Sequence, residues 1–101
     1  MKYSLSPIDF KYVYNNSKSL FIKDIQFYYM PDQNPRLGFI VSRKYGNSVA
    51  RNLFKRRCRY AFYELIKAEF TYSIIIKPKI HNIQWTVIKQ TFEMINEKIS
   101  N

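Results

Sequence analysis

The sequence predicts an α/β fold of the α+β type, a two-layer sandwich in which about four strands form a sheet packed with three helices. Three observations predict it. Hydrophobic residues make up 47% of the 101 residues and aromatic residues 18%, enough apolar surface for one core without disulfides or a second domain. Neither Gly nor Pro interrupts residues 47–70, where apolar side chains recur at helical spacing. The triplet Ile74-Ile75-Ile76, stopped by Pro78, reads as a buried strand. Residues 1–101 are read as a single domain.

The elements follow in the order helix, three strands, helix, strand, helix. Ser6 and Pro7 suit the N-cap and first position of a helix over residues 7–15, with Ile8, Phe10, Val13 and Tyr14 at broadly helical spacing. Residues 15–18 read as a turn. Residues 20–30, rich in aromatic and β-branched types, read as one strand or as two broken near Lys23-Asp24. Residues 31–35, with two prolines, close that segment, and Leu37, Phe39 and Val41 alternate with Gly38, Ile40 and Ser42 as a third strand. The long helix is expected from a cap at Asn47 or Ser48 to about Phe70, with Ala50, Phe54, Ala61 and Leu65 on an inward stripe and Cys58 at its margin. A strand over 71–77 and a helix over 83–99, with Ile88, Phe92, Ile95 and Ile99 inward, complete the chain.

Charge is distributed less evenly than the elements. The formal net charge is +10, and residues 33–63 contain no Asp or Glu while holding Arg36, Arg43, Lys44, Arg51, Lys55, Arg56, Arg57 and Arg59. Helical rotation gathers Arg51, Lys55 and Arg59 on one stripe, with Asn52 and Arg56 just beyond. Like charges this dense, without interspersed acids, point to a polyanionic partner rather than to a merely solvated face. Gly46 stands where a strand exit turns into the helix, a place that favours the one residue without a Cβ. The free N–H groups of the helix start add to the phosphate-binding potential, and Arg43 and Lys44 add charge at the expected strand exit.

At these residues the sequence resembles the protein subunit of bacterial ribonuclease P. The signature of that family, a Lys, a Gly two positions on, an apolar pair, Arg-Asn-Arg, Lys-Arg and a further Arg, is met by Lys44, Gly46, Val49-Ala50, Arg51-Asn52-Leu53, Lys55-Arg56 and Arg59. The similarity extends to Leu37-Gly38-Phe39, Asp9-Phe10, Val13-Tyr14 and Ser17-Lys18-Ser19. Leu53 departs from the family Arg, Tyr60 from an acidic or amide residue and Tyr63 from a common Arg. The resemblance implies a left-handed βαβ crossover, as in the second domain of a ribosomal protein, against the usual right-handed rule. It further implies that catalysis belongs to an RNA subunit, which Arg43, Lys44, Arg51, Asn52, Lys55, Arg56 and Arg59 would contact. The 5′ leader of precursor tRNA would lie in a cleft between the motif helix and the sheet, lined by Phe10, Tyr14 and Tyr28, with magnesium ions held chiefly by the RNA.

Other readings stay open at this level. A structural RNA-binding protein, such as a ribosomal component, would share the charge and the helix face. An autonomous ribonuclease would need a carboxylate cluster, whereas Asp9, Asp24 and Asp32 are scattered. A membrane-surface helix would compete with the core for its apolar stripe. Phe10 and Tyr14, one turn apart, suit core packing as well as base stacking, and alternation along Phe27, Tyr28 and Tyr29 leaves undecided which strand face shows aromatics. His81 reads as a surface residue and Cys58 as packing. A lone cysteine, no signal-type leader and no long apolar run lead us to expect a cytoplasmic protein without a membrane partner. The oligomeric state is left undetermined.

Overall fold

Local signals set the first elements. The computed structural model describes residues 3–100, with side-chain environments through residue 99. Helix α1 (Pro7–Asn16) begins at an extended Ser6 whose hydroxyl accepts a hydrogen bond from the Asp9 amide at 3.2 Å, and Val13 is its buried residue. Strands β1 (Lys18–Ile22) and β2 (Ile25–Pro31) pair antiparallel across a tight turn in which Lys23 takes a φ of 54°. The chain does break at Lys23-Asp24, and β1 starts at Lys18, inside the segment read as a turn. After β3 (Leu37–Phe39) a single 3-10 turn, Arg43–Tyr45, leads to α2 (Ser48–Lys67), then β4 (Tyr72–Pro78) and α3 (Trp85–Ser100).

The sheet order is β1-β2-β4-β3, with β4 antiparallel to β2 and parallel to β3. Strands β2 and β3 are therefore not partners; β4 lies between them, and β3, α2 and β4 make a parallel crossover unit. The third strand is shorter than its alternation suggested, although Ile40 still donates its amide to the Ile76 carbonyl at 2.9 Å. On the outer edge of β3, the Leu5 amide bonds the Leu37 carbonyl at 3.0 Å and the Leu37 amide bonds the Tyr3 carbonyl at 2.6 Å.

Register divides the side chains between two faces. Phe27, Ile74, Ile76, Leu37 and Phe39 point one way, where they meet α2 and α3 in the main core; Phe27, for example, meets Phe92 edge-to-face at 5.7 Å. Tyr28, Ile75 and Gly38 point the other way, toward α1. A Cβ added at Gly38 would stand 2.8 Å from Cδ2 of Phe10, so the absence of a side chain at Gly38 allows the α1 aromatics to approach the sheet.

Within α2 the buried residues are Phe54, Cys58, Ala61, Phe62 and Leu65, whereas Ala50 is half-buried. Cys58 thus lies at the centre of the inward stripe, not at its margin, because Phe62 widens that stripe on its side. Burial pushes the Cys58 thiol well above its ordinary pKa, which makes it a packing group rather than a nucleophile. The helix stops at Lys67, three residues before Phe70. Glu69 takes a φ of 62°, its amide bonds the Ile66 carbonyl at 3.0 Å and the Phe70 amide bonds the Leu65 carbonyl at 3.1 Å. This Schellman arrangement turns Phe70 back into the core beside Phe62. Helix α3 begins two residues later than expected, since the Ile83 amide is taken by the Tyr45 hydroxyl at 3.3 Å and Asn82 has a φ of 56°.

A polar group fastens α1 and the 31–36 connection to the sheet. Arg36 contacts Asp9 at 2.5 Å and Asp32 at 3.9 Å, Ser73 donates to Asp32 at 2.7 Å, and the Arg36 amide donates to Ser73 at 2.9 Å. The Arg36 hydrogen bond, helped by Ser6, holds the Asp9 carboxyl below its ordinary pKa of 3.8.

Three outcomes are expected. Glu69→Gly, which relieves a left-handed conformation, should stabilise the fold by about 1 kcal/mol in denaturant melts. Gly38→Ala should destabilise it by about 1–3 kcal/mol through overpacking against Phe10 and should change the near-ultraviolet circular dichroism of the aromatic residues. Because the Asp9 pKa is lower folded than unfolded, its ion pair contributes above the unfolded value and is lost as pH falls through the folded one. In thermal melts, Asp9→Asn should therefore cost stability at neutral pH and show a smaller further loss than the unsubstituted protein when the pH is taken below 3.8.

Candidate nucleic-acid interface

The cationic helix face is built on a backbone turn. Tyr45 is buried, with its ring 5.0 Å from Phe54, and this anchor leaves Arg43 and Lys44 exposed beside it. Both belong to the 3-10 turn, since β3 has already ended at Phe39. Gly46 follows with φ 156° and ψ −171°, a region that side chains with a Cβ rarely enter, and an added Cβ would meet that of Ala50 at 3.0 Å. Asn47 then caps α2, its side-chain oxygen accepting the Ala50 amide at 2.9 Å.

Along α2, Arg51, Lys55 and Arg59 are half-buried at the edge of the core stripe, and Asn52 and Arg56 are exposed. The Arg51 guanidinium donates to the Ser48 hydroxyl at 3.2 Å, and the Arg59 guanidinium lies 5.6 Å from the Phe39 ring centre. Leu53 and Arg57 are half-buried on the side toward Ile83 and Gln84. Among the described residues the ion pairs to carboxylates belong to Arg36 and Lys67; the α2 cations from Arg51 to Arg59 have none. Like charges spaced three or four residues apart cost a helix about 0.2–0.5 kcal/mol per pair. The pairs Arg51–Lys55, Lys55–Arg59 and Arg56–Arg59 all carry that cost, which a bound polyanion would remove.

The aromatic residues gather elsewhere. Phe10 and Tyr14 are nearly parallel, 6.4 Å apart and inclined by 6°, and Tyr14 lies 5.0 Å from Tyr28. Burial and then the hydrogen bond with Tyr14 raise the Tyr28 pKa above its ordinary value. Tyr14 remains 45% exposed, so the cluster has an open side. All three lie between α1 and the sheet, whereas α2 packs on the opposite face. The expected cleft between α2 and the sheet is thus not where these aromatics lie; α1 provides the wall. The strand-face ambiguity is also resolved, with Tyr28 toward α1 and Phe27 and Tyr29 toward the main core.

Sequence reasoning missed Lys77 and Lys79, which flank Pro78 at the end of β4 and line a depression of 560 Å³ together with Ser42, Lys44, Tyr45 and His81. Their local signal was a pair of lysines around a strand-ending proline; their convergence with Lys44 depends on the parallel pairing of β3 and β4. No helix among the described residues is long and apolar enough to cross a membrane.

Comparison with known proteins agrees with this geometry. The family model described as Ribonuclease P matches residues 5–100. A ribonuclease P protein component of Caldanaerobacter subterraneus subsp. tengcongensis is 33% identical over 95 residues, covering 89% of this chain and 82% of the relative. That of a Nitratiruptor species is 30% identical over 93 residues, covering 90% and 85%. Among solved structures, a Staphylococcus aureus RNase P protein mutant with defective mRNA degradation activity superposes with a TM-score of 0.78 at 25% identity, covering 97% of this chain and 88% of that one. The RNase P protein of Thermotoga maritima shares the fold with a TM-score of 0.78 at 20% identity, over 97% and 98% of the two chains. A match over nearly the whole chain, joined to the basic helix with its glycine turn, makes this protein a member of the ribonuclease P protein family.

Proposed function

We propose that the chain serves as the RNA-binding protein subunit of a ribonuclease P holoenzyme, in which the catalytic centre belongs to the RNA and the product is the mature 5′ end of tRNA. The observation that carries this reading is the unpaired cationic face of α2 in a member of this family. Arg51, Asn52, Lys55, Arg56 and Arg59, with Arg43 and Lys44 at the turn, suit the backbone of the catalytic RNA: guanidinium forks grip phosphates with two bonds, and each cation that replaces a counterion adds affinity at low salt. Phe10, Tyr14 and Tyr28 offer stacking surfaces to the unpaired 5′ leader of precursor tRNA, a mode of binding that tolerates any base.

On this reading the protein binds and the RNA carries the chemistry. Cations on α2 and aromatic rings beside α1 are groups that bind and orient a nucleic acid, and among the described residues no three His, Cys, Asp or Glu side chains come together as a metal site. On this reading magnesium ions are held chiefly by the RNA. Holding the leader and the catalytic RNA on one small protein raises the effective concentration of substrate at the RNA active centre without a chemical step by the protein.

Cleavage of precursor tRNA at low magnesium, with bacterial ribonuclease P RNA alone, protein alone and both together, tests the reading. Cleavage at the mature 5′ end is expected to need both. Tight RNA binding without stimulation by a cognate RNA would assign the chain to structural RNA binding instead. Arg51→Ala and Arg56→Ala should each weaken binding to the catalytic RNA and lower the slope of log affinity against log salt by up to about 0.9; unchanged affinity and slope in both variants would remove α2 from the interface.

A further inference from the structure

Between α2 and α3 runs a groove that neither the cationic stripe nor the aromatic cluster uses. Tyr60 on α2 meets Trp85, the first residue of α3, edge-to-face at 5.7 Å. Further along, Ala68 and Glu97 line the same hollow, so the two helices run in the same sense on either side of it. The hollow encloses 330 Å³ over a floor of buried Ala61, Leu65 and Phe92, and Tyr60 at its edge is 58% exposed. From Tyr60 to Ala68 the helix rises about 12 Å, a little over two turns.

The charge of this groove is opposite to that of the chain. The net charge is +10 and there are seven Asp and Glu residues in all, yet Glu64, Glu93 and Glu97 line the groove against one cation, Lys89. Both helices end here: Ala68 caps the C-terminus of α2, and Glu97 lies in the last turn of α3. The negative ends of two helix dipoles therefore add to the carboxylates. Glu93 and Glu97, one turn apart, repel each other, and among the described residues neither has an ion pair. Glu64 holds Lys67 at 3.6 Å, but both side chains are about half exposed, and such pairs exchange partners at little cost. Past Tyr60 and Trp85 the groove opens toward Arg56 and Arg57, so charge changes sign along it. At physiological ionic strength the Debye length is about 8 Å, and a partner seated at the acidic end is governed by the carboxylates beside it.

We propose that this groove docks a basic amphipathic segment of a partner protein, with an apolar side chain seated against Tyr60 and Trp85 and lysines or arginines meeting Glu93 and Glu97. An apolar floor with aromatic walls supplies the kind of anchor in which protein interfaces concentrate their energy, and carboxylates at one end select a cationic sequence. A nucleic acid would be repelled by the same carboxylates, and a second copy would bring a charge of +10 against +10. The inference does not depend on the RNA-binding reading above.

Trp85 is the one tryptophan of the chain, so its fluorescence reports occupancy of the groove. The probe is a tryptophan-free synthetic peptide of about three helical turns, with leucines one turn apart on one face and lysines beside them, titrated into the full chain free of RNA. A saturable change in Trp85 emission is expected, with the same affinity by calorimetry. The double variant Glu93→Gln, Glu97→Gln should weaken binding by up to about thirty-fold, the limit for two exposed ion pairs, and Tyr60→Ser by at least about ten-fold. All three side chains are exposed, so circular dichroism should show the fold unchanged. Replacing the lysines of the peptide by glutamates, or its leucines by serines, should abolish binding. No saturable response to the lysine peptide, or equal affinity for its glutamate version, would overturn the proposal. Three other results would overturn it by naming a different occupant. These are a response to spermidine as strong as to the peptide, binding of a single-stranded oligouridylate that is lost in Tyr60→Ser, and concentration-dependent sedimentation that disappears in the Gln variant.

Discussion

Burial of β4 on both faces is the constraint on which the other elements depend. Ile74, Ile75 and Ile76 are each fully buried, and a strand sealed on two sides must have helices on both. Ile74 and Ile76 require the α2–α3 layer, and Ile75 requires α1. Each isoleucine fully removed from water contributes about 1.5–3 kcal/mol, so three adjacent ones fix the strand at the centre of the sheet, paired with β2 on one side and β3 on the other. The candidate surfaces inherit their separation from this arrangement. Phe10, Tyr14 and Tyr28 collect on the α1 side, the cations of α2 on the other, and β4 is the wall between them.

The same arrangement explains why the helix tolerates its own charge. Arg51, Lys55 and Arg59 repel one another along α2, but the helix is held by Phe54, Cys58, Ala61, Phe62 and Leu65 rather than by favourable surface pairs. Packing of this kind outweighs repulsion of a few tenths of a kcal/mol per pair by a wide margin. Among the described residues the cations can therefore remain without acidic partners. An external anion would lower their electrostatic energy further, whereas folding rests on the core.

Much of this was legible in the sequence, for reasons that differ by element. Ser6-Pro7, Asn47 and Pro78 are local punctuation with local physics, and the elements they bound formed close to where they were read. The basic face of α2 was legible because helical rotation follows from spacing alone. The partner of β3 was not, since adjacency in a sheet is settled by the crossover through α2 and not by any residue of Leu37–Phe39. Phe70 left its helix because Glu69 accepts a left-handed backbone that no propensity would assign to it. Tyr28 stands between two aromatic neighbours, so alternation carried no information about its face until Ile75 and Gly38 fixed it. Lys77 and Lys79 gained meaning only when Lys44, far away in sequence, arrived beside them.

The short segment that pairs with the outer edge of β3 bears on how the protein behaves before it meets a partner. A strand at the end of a sheet offers unmade hydrogen bonds to any other extended chain, and β3, rich in apolar side chains, would be a template for it. Through Tyr3 and Leu5 the polypeptide occupies the Leu37 position on that edge itself. At the opposite edge, β1 starts with the exposed Lys18 and is followed by Lys23 in the turn, and charge there discourages stacking of one copy on another. Both edges of the sheet are thereby poor templates for pairing with another extended chain.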